Sequence, residues 1–123
     1  MADEITIVQK LTYEKGGSKF QIPSTTINVD AAGTNWIHNV QSIGTGSHEA
    51  ISVGDVSSAG LFYFKNLDAT NYVDIGTDNT GTFIPAIRVK AGKEGWIPCV
   101  STNALYAKAN TASVNLEYFL ASQ

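Results

Sequence analysis

Apolar and polar residues along this chain alternate with a period of two, in short runs separated by Gly, Asn, Asp and Pro. No long window carries apolar residues at the i, i+3, i+4, i+7 spacing of a helix. The first predicted strand covers roughly Glu4 to Glu14, with Ile5, Ile7, Leu11 and Tyr13 on one face and Thr6, Val8, Lys10 and Thr12 on the other. Gly16-Gly17 then supplies the positive φ of a tight hairpin. A second strand follows through Phe20 and Ile22 to Ile27 and Val29. Pro23 interrupts it, which marks an edge or a bend, because proline cannot donate to a ladder.

The remaining runs read the same way. Trp36 to Ile43 is a strand, and Glu49 to Val53 a short one. Leu61-Phe62-Tyr63-Phe64 is the most apolar run and predicts a central strand covered on both faces. Tyr72 to Ile75 follows, then Thr82 to Lys90 with Phe83, Ile87 and Val89 inward. Gly95 to Val100 and Leu105 to Ala109 are short strands. In the last strand Val114, Leu116, Tyr118 and Leu120 alternate with Asn115, Glu117 and Phe119. Nine or ten short strands at this spacing predict an all-β, single-domain antiparallel β-sandwich over residues 1–123, jelly-roll-like in type.

Composition narrows the function. The chain has 123 residues, one domain's worth, and no repeat or low-complexity tract. Only 15% of residues are charged, so Ser, Thr, Asn and Gly must form much of the surface, and such a surface is cheap to desolvate against a partner. The net charge of −3 offers no clustered cations for a phosphate backbone, which argues against nucleic acid. No apolar run approaches the ~20 residues of a membrane span, and the first residues lack the pattern of a signal peptide. The single cysteine, Cys99, has no internal disulfide partner and reads as a buried small hydrophobe.

Chemistry is sparse. Two histidines, His38 and His48, are too few for a metal site at ligand spacing and carry no nucleophile motif around them. Gly76-Thr77-Asp78-Asn79-Thr80-Gly81 has one carboxylate and no closing acid, so it reads as a turn rather than a Ca²⁺ loop. The expectation is a non-enzymatic protein with no catalytic, metal or cofactor residues. Its candidate interface residues are Ile5, Ile7 and Pro23 on the opening strands, and Trp36 and Trp96, since Trp is enriched at protein interfaces.

The run Leu61 to Gly76 contains Phe64-Lys65-Asn66-Leu67-Asp68-Ala69-Thr70-Asn71-Tyr72-Val73-Asp74-Ile75-Gly76. It resembles an F-x-N-L-D-x-T-N-Y-V-x-I-G pattern of small structural proteins of tailed bacteriophages. Ile87 to Gly92, Leu105 to Ala109 and Val114 to Tyr118 fit the same pattern, so the resemblance covers roughly residues 61–121. Lys93-Glu94-Gly95-Trp96 departs from it, where an acidic residue would follow Ala91-Gly92 directly. The resemblance implies a virion component without an active site, made in a bacterial cytoplasm and carried on the capsid surface. Its implied role is capsid decoration or cement, bridging major capsid protein subunits as a homo-oligomer, a trimer ahead of a dimer. The alternative it leaves is a tail, adaptor or receptor- and carbohydrate-binding module.

Overall fold

A computed structural model describes residues 4–31, 33–57, 59–98 and 104–122. Cys99 and Val100 and the turn at 101–103, for which the sequence predicts burial, strand and turn, lie outside the described residues. All ten elements are strands: β1 Ile5–Lys15, β2 Ser18–Val29, β3 Trp36–Ile43, β4 Glu49–Ala50, β5 Ala59–Asn66, β6 Val73–Asn79, β7 Thr82–Val89, β8 Glu94–Ile97, β9 Tyr106–Ala109 and β10 Val114–Ser122. Every pairing is antiparallel. Packing divides the chain into two compact units, Met1–Ala32 and Gly33–Gln123, although composition shows no boundary between them.

The first unit is a two-stranded ribbon, β1 against β2. Gly16 and Gly17 have φ of 57° and 86°, the paired positive values of a two-residue hairpin turn. Gln9 faces Thr25 while Leu11 faces Ile22, so Lys10 stands opposite both Pro23 and Ser24. Pro23 therefore sits in a β-bulge, where its missing N–H costs no ladder bond.

The second unit is a two-sheet sandwich. One sheet has the order β3-β10-β5-β8, the other β4-β9-β6-β7. Four of the pairings are nested: β3 with β10, β4 with β9, β5 with β8 and β6 with β7. One core joins the two sheets. Ile43, Phe62, Phe64, Leu116 and Tyr118 come from the first, and Val73, Ile75, Val89 and Ala107 from the second. β10 shows the alternation most cleanly, with Val114, Leu116, Tyr118 and Leu120 all at most 1% exposed. β5 lies between β10 and β8 and buries Leu61, Phe62 and Phe64, while Tyr63 is half-buried on the outer face.

Phe83 does not point inward as the sequence predicts. The register of β6 and β7 slips between Ile75 and Gly76, and past the slip Phe83 lies opposite Asp78, on the sandwich's outer side. The slip also explains Gly76. A Cβ there would come within 2.0 Å of the Ile84 carbonyl oxygen, so no larger residue fits. The segment read as a turn rather than a Ca²⁺ loop closes β6 onto β7. Thr80 and Gly81, with φ of 52° and 89°, form another tight hairpin turn.

The run that carries the phage resemblance has a structural job. The Asn66 side chain is fully buried. Its Nδ2 donates to the Asn71 and Val89 carbonyls at 2.8 and 2.9 Å, and its Oδ1 accepts from the Asp68 N–H at 2.8 Å. The Asp68 carboxylate in turn accepts the N–H groups of Thr70 and Asn71. Those bonds hold the Asp68 carboxyl below its usual range, with the Asn71 N–H the largest cause. Asn66-Leu67-Asp68-Ala69-Thr70-Asn71 is thus a turn built on one buried amide.

Candidate protein interface

The ribbon carries Ile5 and Ile7 on one face and Pro23 opposite Lys10, away from that face. Ile5 lies opposite Val29, Ile7 opposite Ile27, Leu11 opposite Ile22 and Tyr13 opposite Phe20. Directly opposed residues share a face, and the odd positions of β1 share one face by the strand period. The bulge shifts β2 by one residue, so Phe20 and Ile22 join Ile27 and Val29 on that same face. Eight apolar side chains therefore line one side of a two-stranded ribbon. Leu11, Tyr13, Phe20 and Ile22 are 41–55% exposed. Lys15, opposite Ser18, ends this face at the turn, while Lys10 and Lys19 lie on the other face.

Sequence reasoning found Ile5, Ile7, Leu11 and Tyr13 as one face. It missed their partners on β2, because the bulge at Pro23 breaks the alternation that would have revealed them.

The two tryptophans lie on one face of a different surface. Trp36 on β3 and Trp96 on β8 occupy opposite edge strands of the same sheet. Register sets His38, Phe119, Tyr63 and Trp96 in one row across its outer face. Trp36 packs on Phe119 with ring centroids 6.0 Å apart. Trp36 is 65% exposed and Trp96 half-buried. Carboxylates edge the row. Glu117 lies 2.7 Å from His38 Nε2, and the Tyr63 hydroxyl donates to Glu94 at 2.7 Å. Burial, followed by the Glu94 hydrogen bond and the nearby carboxylate charges, pushes the Tyr63 phenol up to about 12.

Both histidines are hydrogen-bonded to carboxylates. His38 is taken by Glu117. His48 Nε2 lies 2.5 Å from Asp78 Oδ1, with its ring stacked on Phe83 and edge-on to Tyr106, both at 5.3 Å. That hydrogen bond, with the Gly81 N–H second, holds the Asp78 carboxyl below its usual range. Among the described residues neither imidazole bonds a Ser, Thr or Cys, the pairing that nucleophile activation needs. On the other sheet Arg88 grips Asp74 with two bonds at 2.9 and 3.1 Å and lies over the Tyr72 ring at 3.8 Å.

Comparison with protein-family models, with curated proteins and with solved structures finds no match for this chain. Apolar and aromatic side chains stand in water on both surfaces, and His38, His48 and Arg88 are each held by a carboxylate.

Proposed function

We propose that this protein is a non-enzymatic virion component that holds other proteins together, a capsid decoration or cement protein bridging major capsid protein subunits. The observation that carries the reading is the ribbon. A two-stranded hairpin is marginal in water, and this one turns an apolar face outward. Four half-exposed side chains, two of them aromatic, present on the order of 400 Å² of contiguous apolar surface, the size at which a patch marks an interaction site. The partner it fits is a groove on a capsid subunit with an apolar floor and an acidic group facing Lys15 at the turn. Clamping follows from two-point attachment: surface buried on two subunits at once must be broken before they part.

The virion setting rests on the resemblance over residues 61–121. We read the nested strand pairing as a jelly roll, the double-sheet arrangement common in capsid and lectin domains. Copy number tests the setting. Quantitative mass spectrometry of purified particles is expected to give hundreds of copies, in simple ratio to the major capsid protein. A few copies would mean a tail or neck part, and absence would end the virion reading. Phe20→Ser with Leu11→Ser tests the ribbon. The pair is expected to weaken capsid binding by about tenfold or more, because two half-buried apolar contacts are lost, while the sandwich keeps its melting temperature.

The alternative, a receptor- or carbohydrate-binding module, draws support from Trp36, whose exposed ring beside Glu117 and His38 could stack on a sugar. Saturable binding of host polysaccharide, lost in Trp36→Ala, would favour it.

A further inference from the structure

An open sheet edge is a template for another chain, and proteins normally blunt it with a short strand, a proline, a bulge or a charge. The sandwich has four such edges: β3, β8, β4 and β7. Three are blunted. β4 has two residues. β8 has four and runs into Pro98. β7 carries Pro85, Arg88 and the slipped register against β6.

β3 has no proline, bulge, charge or shortening; the segment at 50–55 runs beside its inward-facing side chains, where Gln41 Nε2 donates to the Ala50 carbonyl at 3.0 Å and the Ser52 N–H donates to Gln41 Oε1 at 3.0 Å. β3 is eight residues long, WIHNVQSI, and pairs with β10 along its whole length without a break. It contains no proline, lysine, arginine or carboxylate. Among the described residues, no backbone hydrogen bond is made on its other side. Trp36 and Val40, 65% and 47% exposed, stand two residues either side of His38 on the outer face.

We propose that β3 is a self-association edge, pairing antiparallel with β3 of a second copy about a two-fold axis at His38. The strand is self-complementary in that register. Trp36 of each copy then faces Val40 of the other, an aromatic against a β-branched residue, the kind of cross-strand pair that stabilises sheets. Both side chains leave water together. The two His38 side chains meet at the axis with Glu117 held 2.7 Å from each imidazole, so a carboxylate accompanies each ring. β3 itself brings no lysine, arginine or carboxylate to the contact. An isologous contact of this kind closes at two copies and joins two four-stranded sheets into one of eight. The contact does not depend on the virion reading.

Sedimentation velocity on the full chain over a concentration series tests it. The expected result is a species of twice the 13.1 kDa chain mass that dissociates on dilution. Val40→Lys sets two lysines beside the axis and is expected to raise the dissociation constant about tenfold or more. Trp36→Ser is expected to act in the same direction, and Phe20→Ser on the ribbon to leave the dimer intact. Both β3 positions are exposed, and an unchanged far-ultraviolet dichroism spectrum establishes that each variant folds. Amide exchange gives a second reading on the unaltered protein: amides within residues 36–40 are expected to slow as concentration rises. A wild-type chain that stays monomeric overturns the proposal. So does a dimer that survives both β3 substitutions, or one that Phe20→Ser dissociates while Val40→Lys does not. If capsid binding is lost in the ribbon variant alone and dimerisation in the β3 variants alone, the two surfaces act separately.

Discussion

At the scale of single residues, Asn66 does more for this fold than any apolar side chain of its size could. One buried amide fixes both ends of a six-residue turn and ties it to β7 through the Val89 carbonyl. Replacing it with alanine leaves the Val89 carbonyl unpaired in a buried setting and two part-buried groups without their partner, and a buried unpaired group costs about 1–3 kcal/mol. Asn66→Ala is therefore expected to lower unfolding free energy by on the order of 3 kcal/mol, seen as a lower urea midpoint at unchanged slope. Tyr63 offers a different test. Its phenol is raised from 10.0 to about 12 in the folded protein. A raised folded pKa stabilises fully below the unfolded value and is lost as pH climbs through the folded one. Alkaline titration followed by phenolate absorbance is expected to show a late tyrosine near 12, absent in Tyr63→Phe. That variant should also lose part of the decline in stability between pH 10 and 12.

At the scale of elements, legibility depended on whether a strand kept its period. β3 and β10 were readable from the sequence because nothing interrupts them. Val114, Leu116, Tyr118 and Leu120 are buried where alternation puts them. The ribbon and β7 were readable only in part, because each contains a bulge, and one inserted residue reverses every later side chain. That is why Phe83 stacks on His48 outside the core and why Phe20 and Ile22 complete an apolar face that β1 only begins. The same difference should appear in dynamics. The ribbon's mostly exposed strands bury little, while β10 sits between β3 and β5 with its inward residues fully covered. Native-state hydrogen exchange of the free protein is expected to find the ribbon amides opening at far lower free energy than those of β10. Equal protection in both would mean that the ribbon is held as firmly as the sandwich core.

At the scale of the whole molecule, one core joins the two sheets of the sandwich, and truncating it should be felt across both. Leu116 is fully buried, two residues into β10. Leu116→Ala is expected to cost about 2–5 kcal/mol, the range for leucine cavities that close only partly, read by chemical denaturation. The sequence alone determined the all-β class, the two hairpin glycines, most strand positions and the lack of clustered charge, because these follow from local steric preference and a period of two. It carried the two tryptophans as separate candidates and the ribbon as half a face. Only the tertiary structure decided that Trp36 and Trp96 share one sheet face, that Pro23 sits in a bulge, that His48 meets Asp78, and that β3 is the last strand of its sheet. Those facts depend on which strands lie side by side. Nested pairing brings together residues far apart in sequence, through contacts whose specificity resides in shape and register, and neither is written in local composition.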